Sequence, residues 1–233
     1  MRISVVTALA ATAVLAGCGQ QVADGSSSDP AARQWRDCTP AAFEGDAGQS
    51  LDVSTADGPV PVKLPTSGPC AGGLVALTPA GVVGTDVDDL DLDESTVQVV
   101  GLRGDGGPAA LVRVDGERHP RGGFQPHLFT VAGGTVAEVT VDGGPLLPFV
   151  ATDGGMAPMT ATCDDGEVAV LSATVSEPPG IVLAWDVERT AYRIEGASAE
   201  LVGSEQVRDH AADPVLRQEM PELFEPGSLF ADC

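Results

Sequence analysis

The 233-residue chain is short of base: 12 Lys and Arg stand against 34 Asp and Glu, and Lys63 is its only lysine. The formal charge of −22 leaves no basic face with which to displace counterions from a nucleic acid. It also denies the chain an electrostatic grip on an anionic lipid surface. Aromatic residues are scarce at 4 %, so a core must be filled mostly by Val, Leu and Ala. The one long apolar run, residues 3–16, falls short of the about 20 residues that a spanning helix needs. Enzyme signatures are missing too: there is no G-x-S-x-G, S-x-x-K, H-E-x-x-H or G-x-x-x-x-G-K. What is present is a composition that folds, at 43 % hydrophobic and 20 % charged, in a length that suits one domain.

The N-terminus reads as an export signal. Arg2 supplies a positive start, and Ile3 to Ala16 is an apolar run broken only by Ser4, Thr7 and Thr12. Its end, Leu15-Ala16-Gly17-Cys18, resembles the lipobox of bacterial lipoproteins. The resemblance implies cleavage before Cys18, acylation of that residue and a membrane-anchored, extracytoplasmic protein, held by more than one acyl chain as stable anchoring requires. With the Ala, Val and Gly richness and the near absence of Lys, the chain resembles lipoproteins of high-GC actinobacteria. Residues 1–17 are then the signal peptide, whose removal takes the formal charge from −22 to −23 because it contains Arg2 and no acid. Residues 18–30, small, polar and aperiodic, make a flexible tether. Residues 31–233 form a single domain.

Four cysteines remain, Cys38, Cys70, Cys163 and Cys233. In an exported domain they read as two disulfides, with three connectivities open. Cys38–Cys70 with Cys163–Cys233 is preferred, since each pair then lies in its own half of the chain. No two are close enough for the C-x₂₋₄-C ligand pair of a zinc site.

The pattern along the domain is strand and turn. Asp29-Pro30 predicts a short helix leading into Cys38. Strands are expected at Val60–Leu64, Leu74–Leu77, Gly81–Val87, Thr96–Leu102 and Ala110–Asp115. Leu128–Ala132, Gly133-Gly134 and Thr135–Val141 read as a hairpin. A four-stranded meander follows, at Val168–Val175, Ile181–Val187, Ala191–Glu195 and Ala199–Val202, with one turn at Glu188-Arg189. Ser204–Ala211 and the residues after Asp213-Pro214 read as short helices. About ten strands with two or three short helices point to a mainly β, antiparallel meander: a sandwich, a barrel or a small propeller. Trp185, Tyr192, Phe129 and Phe149 are the expected large core residues, with Trp185 and Tyr192 paired across a hairpin.

Three segments could carry chemistry. Residues 100–112 resemble a degraded blade of FG-GAP or VCBS-type β-repeats: Asp105, Gly106, Pro108 and the following strand match in order. Leu102, Arg103 and Gly104 stand where that family has its first carboxylates, so the resemblance implies a β-meander more than a calcium loop. Calcium is the one cofactor to weigh, at Asp86, Asp88, Asp89, Asp91 and Asp93. A loop starting at Asp89 has acids at EF-hand positions 1, 3 and 5, but Glu94 replaces the glycine at 6 and Val100 the glutamate at 12. The alternation from Asp89 to Asp93 suits an acidic edge strand instead. Arg118, His119, Arg121 and His127 fall in a long loop and form the candidate contact surface. The function expected is a non-catalytic binding or structural module of the cell envelope, meeting an envelope protein or small ligand and no nucleic acid. The alternatives are a secreted hydrolase with a dispersed active site and a calcium-stabilised structural module.

Overall fold

A computed structural model describes residues 35, 37–87, 90–91, 95–102, 109–116, 118–120, 122–151, 158–164, 166–176, 182–231 and 233. The lipobox with Cys18, the tether, the loop at 103–108 and all of the expected first helix except Trp35 lie outside them. The first described helix starts at Thr39-Pro40. The Thr39 hydroxyl accepts the Ala42 amide and Pro40 sits at the first helical position, which sets the start of α1 (Pro40–Gly45). Its far end is held by Lys63, whose Nζ donates to the carbonyls of Phe43 and Asp46 at 2.6 Å each. A cation at the negative end of a helix is favourable, so the one lysine of the chain is spent inside the fold.

Fourteen described strands follow and make three sheets. β1 (Gly48–Thr55), β2 (Gly58–Pro65), β3 (Gly73–Thr78) and β4 (Gly81–Asp86) form an antiparallel meander. β5 (Thr96–Leu102), β6 (Ala109–Asp115), β7 (Pro126–Ala132) and β8 (Thr135–Glu138) form a second. The third holds β9 (Thr140–Val141), β10 (Gly144–Pro145), β11 (Met159–Asp164), β12 (Glu167–Val175), β13 (Ala184–Glu195) and β14 (Ser198–Ala212), in the order β10-β9-β14-β13-β12-β11. Every named pairing is antiparallel except the parallel contact of Ser198 in β14 with Thr140 in β9. The chain closes on α2 (Asp213–Glu219) and two 3₁₀ turns, Pro221–Phe224 and Pro226–Ser228.

The second sheet lies between the other two because its strands are apolar on both faces. On one face Val112, Val114, Phe129, Val131 and Val136 pack with Val53, Val62, Leu64 and Leu74 of the first sheet. On the other, Val100, Leu111 and Leu128 pack with Met159, Ala161, Val168 and Val170 of the third. Sheets covered on both sides lose the polar-apolar alternation, as the neighbours Leu111 and Val112, both fully buried on opposite faces, show. The Gln49 side chain ties β1 to the approach to β5, donating to the Ser95 carbonyl at 2.8 Å and accepting the Val97 amide at 3.0 Å. Trp185, Val187, Leu216, Met220 and Leu223 form a third core, between the outer face of the third sheet and α2.

Several sequence expectations are corrected. β13 runs unbroken through Glu188-Arg189, which pair with Gln206 and Glu205 instead of turning. Ser204–Ala211 is strand, the second half of β14, and not helix. Trp185 and Tyr192 therefore share one strand and cannot face each other across a hairpin. Trp185 is fully buried and Tyr192 half-buried, but Phe149 is 41 % exposed. The turn at Gly133-Gly134 stands as expected, with φ of 56° and 77° that glycine adopts without Cβ strain. The mainly β, antiparallel architecture is also as expected.

Candidate functional site

The cysteines pair as Cys38–Cys70 and Cys163–Cys233, with Cα atoms 4.7 Å and 5.3 Å apart. Cys38–Cys70 is buried beside Trp35, Phe43 and Val75. Cys163–Cys233 fastens the last residue to edge strand β11, where the Phe230 amide also donates to the Ala161 carbonyl at 2.7 Å. Arg113 secures the same segment from the second sheet. Its Nη1 donates to the Leu229 carbonyl at 2.8 Å while its Nε lies 2.9 Å from an Asp115 carboxylate oxygen.

Of the acidic run, Asp86 ends β4 on the surface, and Asp91 lies in a turn closed by the Ser95 amide on its carbonyl at 2.7 Å. Leu90 and Asp91 are not strand, which corrects the edge-strand expectation at these two positions. Asp88, Asp89 and Asp93 lie outside the described residues. Among the described residues, no group of three or more His, Cys, Asp or Glu side chains converges as metal ligands.

The contact loop divides. Arg118 and His119 are exposed, with the Arg118 guanidinium 5.8 Å from the Phe124 ring centre and His119 edge-on to Phe149 at 6.2 Å. Arg121 lies outside the described residues. His127 does not belong to the loop at all. Pro126 starts β7, and His127 stands on the same side as Phe129, buried, with Nδ1 2.8 Å from Glu138 Oε1. Its Nε2 is buried with no hydrogen-bond partner among the described residues.

A site that the sequence reading missed lies on β14. The strand pairs with β13 along one side, while among the described residues its other side meets β9 only at Ser198. From Glu200 to Gln206 seven consecutive residues are exposed, Leu201 at 57 % and Val202 at 46 %. A groove of about 350 Å³ runs beside this stretch, lined by Ser172, Thr174, Asp186, Glu188, Glu205 and Gln206. Ser204 donates to the Glu188 carboxylate there. The Asp186 carboxyl is held below the ordinary aspartate value of 3.8, chiefly by the His210 amide at 2.7 Å and then by the Ser176 hydroxyl at 2.8 Å. His210 reaches it because β14 carries an irregularity opposite Asp186, where His210 takes a φ of 50°. A smaller, mostly apolar cavity of about 160 Å³ opens where the β1–β2, β3–β4 and β7–β8 turns meet, beside Val60, Pro79 and Val131.

The groove offers carboxylates and hydroxyls to a ligand, and the strand beside it offers main-chain donors and acceptors. That set suits recognition of a cationic, extended group. Compared with known proteins, the chain matches no family profile, no curated protein and no solved structure.

Proposed function

We propose that this chain is a lipid-anchored extracytoplasmic protein whose β-rich domain acts as a non-catalytic binding module of the cell envelope. The anchor rests on the signal-like residues 1–17 and on Cys18 in its lipobox-like setting. The disulfides Cys38–Cys70 and Cys163–Cys233 support an oxidising compartment. The binding role rests on one observation above all: the seven exposed residues of β14 beside the acidic groove. Folded proteins ordinarily cover or shorten such edges, and an uncovered one alongside a built groove is a place for a partner.

The anchor is tested by cell fractionation. With residues 1–18 replaced by a signal peptide that is cleaved without a lipobox, the chain passes from the membrane to the soluble fraction, and its retention on the membrane contradicts the reading. The binding role is tested with a photocrosslinking side chain placed at Val202 or at His119 in the anchored chain. Adducts at Val202 support the β14 surface; adducts confined to His119 move the contact to the loop.

A further inference from the structure

Strand β14 has one ladder and one open side. Beyond Ser198 no described strand pairs with its outer edge, and its side chains from Glu200 to Gln206 are exposed on both faces of the sheet. The register with β13 shifts between Trp185 and Val187, between Val187 and Glu188, and between Ala191 and Tyr192. Between these irregularities Gly203–Gln206 pairs regularly with Ala191–Glu188, so a straight run survives at the middle of the exposed stretch. The irregularities limit runaway edge-to-edge growth while leaving that run able to accept one short strand.

The groove says what the strand should carry. Asp186 and Glu188 bring two carboxylates to it, while Glu205 is paired across the ladder with Arg189 at 3.8 Å; the His210 amide and the Ser176 hydroxyl fix the Asp186 carboxylate in place. A strand added to an edge directs alternate side chains to the same face, about 6.6 Å apart, so every second residue of a bound segment meets the groove. Resting on the binding-module reading, we infer that β14 recognises an extended segment of a partner protein by strand addition, with Lys or Arg at alternate positions entering the acidic groove. A second copy of the chain is a poor occupant, because each copy carries a formal charge of −22 and Arg208 is already engaged with Glu219 at 3.3 Å. Main-chain bonds from Gly203–Gln206 supply affinity, and Asp186 and Glu188 supply the preference for basic residues.

The test uses the full chain with Cys18→Ala, titrated with a capped alternating Lys-Val octapeptide or its Glu-Val counterpart, and followed by fluorescence anisotropy and amide hydrogen exchange. The Lys-Val peptide binds, slows exchange within Gly203–Gln206, and loses affinity as salt is raised. The change Glu188→Gln weakens it about tenfold, with unchanged exchange in β12 and β13 showing that the fold is kept. Failure to bind, or equal binding of the Glu-Val peptide, overturns the inference. Slowed exchange at β14 that grows with protein concentration and without peptide also overturns it, in favour of self-pairing. Lys-Val binding with protection elsewhere overturns strand addition but leaves the binding-module reading standing.

Discussion

Lys63 is 8 % exposed, in a chain that otherwise relies on arginine for positive charge. Its ammonium satisfies two carbonyls at the end of α1 and lies 5.3 Å from the Phe43 ring centre. Lys63→Met keeps the apolar stem and strips both hydrogen bonds, which costs about 2–3 kcal/mol; urea unfolding measures it, and an unchanged midpoint contradicts the assigned role. Asp213 has a comparable post at the start of α2. It accepts the Trp185 indole N–H at 2.8 Å and the Arg217 Nε at 2.9 Å. Burial alone would raise its carboxyl, but these two hydrogen bonds and the Arg217 charge outweigh it and leave the group below 3.8. A depressed carboxylate contributes stability above its unfolded value and loses it as the pH falls through the folded one. Asp186 shifts in the same direction, so stability should drop below about pH 4. Asp213→Asn should flatten part of that drop, seen as a smaller difference in urea midpoint between about pH 5 and about pH 3. An unaltered acid slope excludes Asp213 as a contributor.

At the scale of elements, short strands between glycine turns were legible and long irregular ones were not. Thr96–Leu102 is β5 residue for residue, because β-branched residues dominate it. The hairpin at Gly133-Gly134 likewise follows from its two glycines. β14 hid because its register shifts break the period of two on which strand reading depends, leaving apolar residues at uneven intervals. Half of it consequently read as helix. Glu188-Arg189 read as a turn, yet both lie within β13, Glu188 lining the groove and Arg189 paired with Glu205 on the opposite face. The helix signal at Thr39-Pro40 was present in sequence but was passed over for the similar Asp29-Pro30. His127 looked like a loop residue beside Pro126, and only the cross-strand Glu138 shows how an imidazole is accommodated inside. The groove itself was illegible, because it joins residues from 172 to 206 through strand pairing that no local pattern encodes.

The described residues make three β layers, with Cys38–Cys70 packed beside the first sheet and Cys163–Cys233 on the edge of the third. The Cys163–Cys233 bridge spans 70 residues and the Cys38–Cys70 bridge 32. The longer loop constrains the unfolded chain more, so replacing Cys163 and Cys233 by serine should cost about 4 kcal/mol, slightly above the loss for the other pair. Urea titration of the two double variants compares them, and a smaller loss for Cys163–Cys233 contradicts the idea that it closes the fold. The disulfides, the acidic charge and the open β14 edge acquire one meaning if the domain stands outside the cytoplasm on an acylated Cys18. The direct test is the intact mass of the protein extracted from membranes, before and after reduction. The account predicts a chain that starts at Cys18, carries the added mass of acyl groups and gains about 4 Da on reduction. A chain that still starts at Met1, or one that starts at Cys18 without acyl mass, contradicts it.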